Sequence, residues 1–200
     1  MRDAAGALLA LWNDVAPEMD KVYHDWHADE HVPERLTVPG MCWGRRYAAL
    51  DGTPGPRYLT LYGLRDAGVL ESDAYRRLLS HPTPASARMR PHLRNLSRWV
   101  CALRSLTAVP GDVDLAVRTF DAGDAAQSWL QEAADHAGPG LLLAERLSDA
   151  APLPWLQSGQ EQAIRGNWLA ALALRGEPPP SLRGALLYRA LPVSAASRRP

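Results

Sequence analysis

The run PGMCWGRR at residues 39–46 returns one hundred residues later as PGLLLAER at residues 139–146, each time as a Pro-Gly turn feeding a strand-like stretch. A chain of 200 residues that repeats at this offset reads as two units of about one hundred residues each. In the first unit Ala5–Trp12 is a compact apolar run of strand type. Pro17 opens a helix at a position where its missing N–H costs nothing, and Met19, Val22, Tyr23 and Trp26 give that helix one apolar face. Pro33 is expected to end it near His31. Met41–Leu50 and Arg57–Leu64 read as a hairpin around the turn 51–56. A helix over Val69–Leu79, a short one over Ala85–Arg94 and a strand over Leu96–Leu106 complete the order β-α-β-β-α-β.

The second unit follows the same plan in worn form. Val113–Phe120, Pro139–Arg146, Asn167–Leu174 and Gly184–Leu191 supply strands, and Asp124 caps a helix running to about His136. Glu177–Pro180 leaves little room for the second helix, which is expected to be shortened or lost, while Gln160–Arg165 can make one helical turn. The expected organisation is α+β: tandem ferredoxin-like βαββαβ repeats over 1–106 and 107–193, the second degenerate, and a flexible tail at 194–200. Each unit would leave one sheet face bare, so the two faces should pack together into an α/β barrel. Closure within one chain and closure between two chains both satisfy that requirement.

Composition narrows the function. Lys and Arg total 22 against 22 Asp and Glu, so no global field exists to hold a nucleic acid. Lys21 is the only lysine, as codon bias would give. Cys42 and Cys101 lie in apolar runs without metal-type spacing and read as reduced core residues. No apolar stretch reaches the ~20 residues that a membrane helix needs, and no signal peptide is read at the N-terminus. A cytoplasmic protein is expected, with no membrane or nucleic-acid partner. A homodimer is compatible with either form of closure.

The densest polar cluster is residues 23–35. His24, His27 and His31 share a helical face, and His27–His31 spells H-x-x-E-H, the spacing of a zinc helix. With Pro33 expected to cut the helix and no third ligand in view, no metal is expected. Alternation places Trp43, Arg45 and Tyr47 on one strand face with Arg46 on the other, and puts Tyr58, Thr60 and Tyr62 together. It does not say which face looks into the barrel. Trp99, Trp129, Trp155 and Trp168 read as packing residues. No P-loop, G-x-G-x-x-G, G-x-S-x-G or paired C-x-x-C motif is present.

Three strings in order, W-x-D-V-x-P-E (12–18), W-H-x-x-E-H-x-P-E-R (26–35) and V-P-G-M-x-x-x-R-R-Y (38–47), followed by Y-L-x-L-Y (58–62) and H-P-T-P (81–84), resemble the EthD-like group of the dimeric α/β-barrel superfamily. Glu161–Gly166 extends the likeness into the second half. The resemblance implies a barrel that binds an apolar small molecule between sheet and helices. Relatives include cyclases, isomerases, decarboxylases, cofactor-independent monooxygenases and haem-degrading enzymes. His27 stands where members of the group usually carry tyrosine.

The expected function is a cofactor-independent small-molecule enzyme performing acid–base cyclisation, dehydration or isomerisation of an aromatic or polyketide-like substrate. The alternatives are a cofactor-independent monooxygenase and a non-catalytic binding protein. His31 is the candidate acid–base group, because a neutral imidazole works in either direction near neutral pH. Glu30 would orient it, and Arg46 would stabilise an enolate-like oxygen. Trp12, His27, Trp43, Tyr58 and Tyr62 are the candidate substrate-binding residues, and Glu34 with Arg35 reads as a structural ion pair. A cavity bounded by Trp12, His31, Trp43 and Tyr62 is expected.

Overall fold

A computed structural model describes residues 5–107, 112–137, 140–148, 153–154, 164–174, 182 and 184–194. The first half contributes β1 (Ala7–Val15), β2 (Met41–Ala49), β3 (Tyr58–Leu64) and β4 (Leu93–Leu106). The second contributes β5 (Leu115–Phe120), β6 (Gly140–Arg146), β7 (Trp168–Ala173) and β8 (Leu186–Leu191). They close in the order β1-β3-β2-β8-β5-β7-β6-β4, and every pairing is antiparallel. The fold is therefore α+β with a closed eight-stranded barrel made by one chain. Spatially the first four strands run β4-β1-β3-β2 and the last four β8-β5-β7-β6, the same permutation twice. Closure leaves no sheet edge to pair with another chain.

Strand alternation sends one set of side chains inward and the other toward the helices. Inside lie Leu8, Ala10 and Trp12 of β1, Trp43 and Tyr47 of β2, Leu59 and Leu61 of β3, and their counterparts from the other five strands. Trp12 meets Trp99 edge-on at 5.5 Å. The indole of Trp43 lies over Gly63, where a Cβ would come within 2.2 Å of it. Outward on the first half point Leu9, Tyr62 and Leu64, covered by Val32, Val69 and Tyr75. Because both faces are covered, β3 (YLTLYGL) is buried at every position.

The helix of the first crossover passes through Pro33 instead of stopping before it. Asp20–Trp26 (α1) leads into a π-helical turn at His27–His31, and Val32–Arg35 (α2) continues beyond. Proline lacks an N–H and its ring crowds the carbonyl four residues back. The wider π turn lies where that crowding would fall. A 3₁₀ turn (Ala67–Glu71) precedes α3 (Asp73–Ser80), which is capped by Ser72 accepting from Tyr75 N at 3.2 Å. The expected helix over Ala85–Arg94 shortens to α4 (Pro84–Met89), capped by Thr83, with a 3₁₀ turn at Arg90–His92.

In the second half α5 (Gly123–Ala137) makes the crossover, with Asp124 in its first turn. Trp129, Ala126 and Ala133 of α5 pack directly onto the outward residues Ala116, Leu143, Ala170 and Leu172. Both cysteines are free thiols, and burial pushes that of Cys101 up to about 12. The expected turn at Gln160–Arg165, the shortened helix near Glu177–Pro180, Trp155 and most of the tail lie wholly or largely outside the described residues.

Candidate functional site

The outward face of β1 and β3 and the helices α1, the π turn, α2 and α4 enclose a small pocket of about 60 Å³. His27, His31, Arg35, Arg90, Asn13, Tyr23, Thr60 and Tyr75 line it, together with apolar side chains. The π turn sets its character. It brings the rings of His27 and His31 into a stack, with centroids 5.1 Å apart and planes 20° from parallel. Tyr23 stacks on the other side of His27 at 5.0 Å, and Trp26 packs against His31 at 4.4 Å.

His27 is buried and its bonding fixes its tautomer. Arg46 donates from Nε to His27 Nδ1 at 2.7 Å, and Thr60 Oγ1 lies 3.4 Å from Nε2. An arginine is always a donor, so Nδ1 carries a lone pair and the proton sits on Nε2. Burial, then the charge of Arg46, holds the His27 pKa well below its ordinary 6.5. Arg46 is itself only 3 % exposed. Its other bonds go to Pro192 O at 2.9 Å and His24 O at 3.2 Å, so its acceptors are neutral. The segment after β8 thus crosses the π turn, and Ser194 N donates to Ala28 O at 3.3 Å.

His31 Nδ1 is buried and has no hydrogen-bond partner among the described residues. Burial, followed by the charge of Arg35, holds its pKa well below 6.5. The imidazole is therefore neutral at physiological pH. Arg35 is 6 % exposed, pairs with Glu34 Oε2 at 2.9 Å, and lies 6.0 Å over the Tyr75 ring. Among the described residues the pocket lining contains no aspartate or glutamate.

A second cavity of about 800 Å³ lies beside the first, between α3 and β4. Tyr75, Leu79 and Leu153 line both, so the two spaces adjoin. Glu71 and Arg76, both exposed, stand where the larger cavity meets solvent.

The expected residues separate onto two sides of the sheet. His31, His27, Arg46, Tyr58 and Tyr62 lie under the helices, while Trp12 and Trp43 point into the barrel. A single cavity bounded by Trp12, His31, Trp43 and Tyr62 therefore does not exist, because the β-sheet stands between the two pairs. Trp12 and Trp43 are core. Tyr58 bonds Asp20 and lies 3.1 Å from His24 Nε2, outside the pocket lining. Tyr62 has a buried hydroxyl with no partner.

Glu30 is not bonded to His31. Its carboxylate accepts from Thr83 Oγ1 and, at 3.4 Å, from Ser86 Oγ, which also accepts from Trp26 Nε1 at 3.2 Å. It holds the start of α4 against the π turn. Residues that sequence reasoning did not place in the site are Tyr75, Arg90 and Asn13, with Arg35 read there only as an ion pair. The spacing of Arg35 four residues after His31 was the one available signal.

Among the described residues no group of three or more His, Cys, Asp and Glu side chains could hold a metal. The parallel stack of His27 and His31, with Nδ1 of His27 taken by Arg46, does not converge two lone pairs on one point. Among the described residues no helix is long and apolar enough to cross a membrane.

Several solved structures share this fold. Among solved structures, an anthrone oxidase-like protein matches at 12% identity and a TM-score of 0.57, over 92% of this chain and 90% of that one. A chlorite dismutase-like protein matches at 12% identity and a TM-score of 0.55, over 98% of each chain. A double mutant of the chlorite dismutase from Candidatus Nitrospira defluvii matches at 8% identity and a TM-score of 0.54, over 97% of this chain and 95% of that one. No family model matches the sequence, and no curated protein sequence matches it.

Proposed function

We propose that this chain is a cofactor-independent small-molecule enzyme that moves a proton on an aromatic or polyketide-like substrate, as in cyclisation, dehydration or isomerisation. The observation that carries this reading is the buried Nδ1 of a neutral His31, without a partner among the described residues, in a pocket whose described lining holds arginine and no carboxylate. A buried polar atom without a protein partner calls for one from a ligand. A neutral imidazole there can accept a proton from a carbon or hydroxyl acid. The substrate anion so formed offsets the cost of the new imidazolium, and Arg35 stabilises that anion. The tautomer-locked His27 backs the ring of His31 by stacking, and Arg46 acts through His27 as a positioning residue.

We further read the halves 1–106 and 107–193 as tandem ferredoxin-like repeats of the EthD-like group, with the polar residues of the His31 pocket all in the first repeat. The repeated strand permutation supports this. A cytoplasmic setting and a small-molecule partner belong to the same reading, and a homodimer would form through the outer surfaces. Haem does not fit the residues present: the His31 pocket is far smaller than a porphyrin, and the described lining of the larger cavity offers no His, Cys or Met.

Proton transfer is tested with 2-tetralone, a neutral enolisable ketone, in D₂O with a chelator present. The wild-type chain should accelerate loss of the C1 proton signals in NMR. His31→Ala, shown folded by circular dichroism, should not. Equal acceleration by the variant would remove His31 from the reaction, and tight binding without exchange by the wild type would leave a binding protein. Oxygen uptake with a polycyclic phenol would convert the reading to the monooxygenase, for which the same deprotonation supplies an electron-rich anion.

A further inference from the structure

We propose that the site selects a planar oxyanion, a carboxylate or its enolate equivalent, carried on an extended apolar body. The anion sits in the His31–Arg35 pocket and the body fills the adjoining cavity. This rests on the reading of that pocket as the reaction site and names the class of molecule it takes.

Shape and charge agree on the division. The inner pocket, at about 60 Å³, has room for a head group and not for a ring system. Arg35 and Arg90 both line it, Glu34 is bonded to Arg35 from outside the lining, and no aspartate or glutamate is in its described lining. Arg35 is held between Glu34 and the face of Tyr75, which fixes its guanidinium plane and preserves donors for a second planar acceptor. His31 Nδ1, buried beside it, has no partner among the described residues.

The outer cavity is built differently. Leu70, Leu79, Val100, Leu147 and Leu153 give it apolar walls, while its charged lining, Glu71, Arg76 and Arg98, carries both signs. Its volume of about 800 Å³ is within the range of sites that enclose multi-ring or long-chain ligands. Tyr75, shared by both spaces, stands at their junction. A small polar anion would leave the outer cavity empty. A neutral apolar molecule would leave His31 Nδ1 without a partner and the spare donors of Arg35 unused.

The test compares 2-naphthoate with 2-acetylnaphthalene, which has the same ring system and a neutral head, by titration calorimetry on the full chain at pH 7.5. Naphthoate should bind at least tenfold more tightly. Arg35→Gln and Arg90→Gln should each remove most of that preference, and Arg35→Lys should retain part of it. If Arg35→Gln does not fold, the wild-type preference and Arg90→Gln still decide. Equal or tighter binding of the ketone would overturn the proposal, as would a naphthoate preference that survives in the folded arginine variants. Preference for naphthoate without tetralone exchange would sustain this inference and refute the acid–base reading. Tetralone exchange without the preference would do the reverse.

Discussion

Arg46 donates from Nε to Nδ1 of His27 across 2.7 Å, so a permanent cation closes the ring nitrogen that would otherwise take up a proton. Its remaining bonds tie the segment after β8 (Pro192 O) to the first crossover helix (His24 O). Arg46→Met should leave those two carbonyls without their donor and cost about 1–3 kcal/mol, read as a lower urea midpoint. The His27 ring protons should then titrate at higher pH in NMR. A midpoint and titration equal to wild type would show that the contact has no energetic weight.

Stability should fall on acidification. His27 and His31 have folded pKa values well below the 6.5 of an exposed imidazole, so between 6.5 and those values the unfolded chain holds protons that the native one does not. The contribution is complete above pH 6.5 and is lost as pH drops through this window, at about 1.4 kcal/mol per pH unit for each group. Thermal melts from pH 7.5 to 4.5 should show this slope, and His31→Gln should reduce it by about half. A flat or rising Tm toward pH 5 in the wild type would contradict it.

Gly63→Ala should destabilise the barrel by about 1–3 kcal/mol, since its Cβ would come within 2.2 Å of the Trp43 indole and the interior has nowhere to move a ring of that size. Trp43→Val should cost more alone, yet the double variant should cost less than the sum. Strict additivity in denaturant melts would place the indole elsewhere. Naphthoate affinity of Trp43→Val should match wild type within twofold, because Trp43 is on the barrel side of the sheet.

Glu30→Ala should lower stability by about 1 kcal/mol through the lost anchor at Thr83 and Ser86, while tetralone exchange persists. Exchange as low as that of His31→Ala would return Glu30 to the role of orienting the imidazole.

The strand plan was legible because both periodicities are strong: Leu8, Ala10 and Trp12 alternate with Leu9 and Leu11, and the Pro-Gly turns recur at 39–40 and 139–140. The pocket was legible in part. His27 and His31 were found from their clustering and Arg46 from its place on a strand, but assignment of the two sheet faces was not available from alternation, which is symmetric to inside and outside. That symmetry is why Trp12 and Trp43 were grouped with His31. Continuation of the helix past Pro33 depends on a π turn that no local propensity encodes. Tyr75 and Arg90 reach the pocket through packing of α3 and of the 3₁₀ turn after α4, about fifty to sixty residues from the histidines and invisible to spacing.

Closure of eight strands within one chain has a kinetic meaning. A barrel assembled from two subunits comes apart on dilution, and its pocket is lost with it. Here the last four strands are tethered to the first four, so their pairing is unimolecular and independent of protein concentration. Tethering also releases the two halves from identity. The second half can close its outer face with Trp129 and serve as scaffold, while the first keeps its helices apart around an open, cationic pocket.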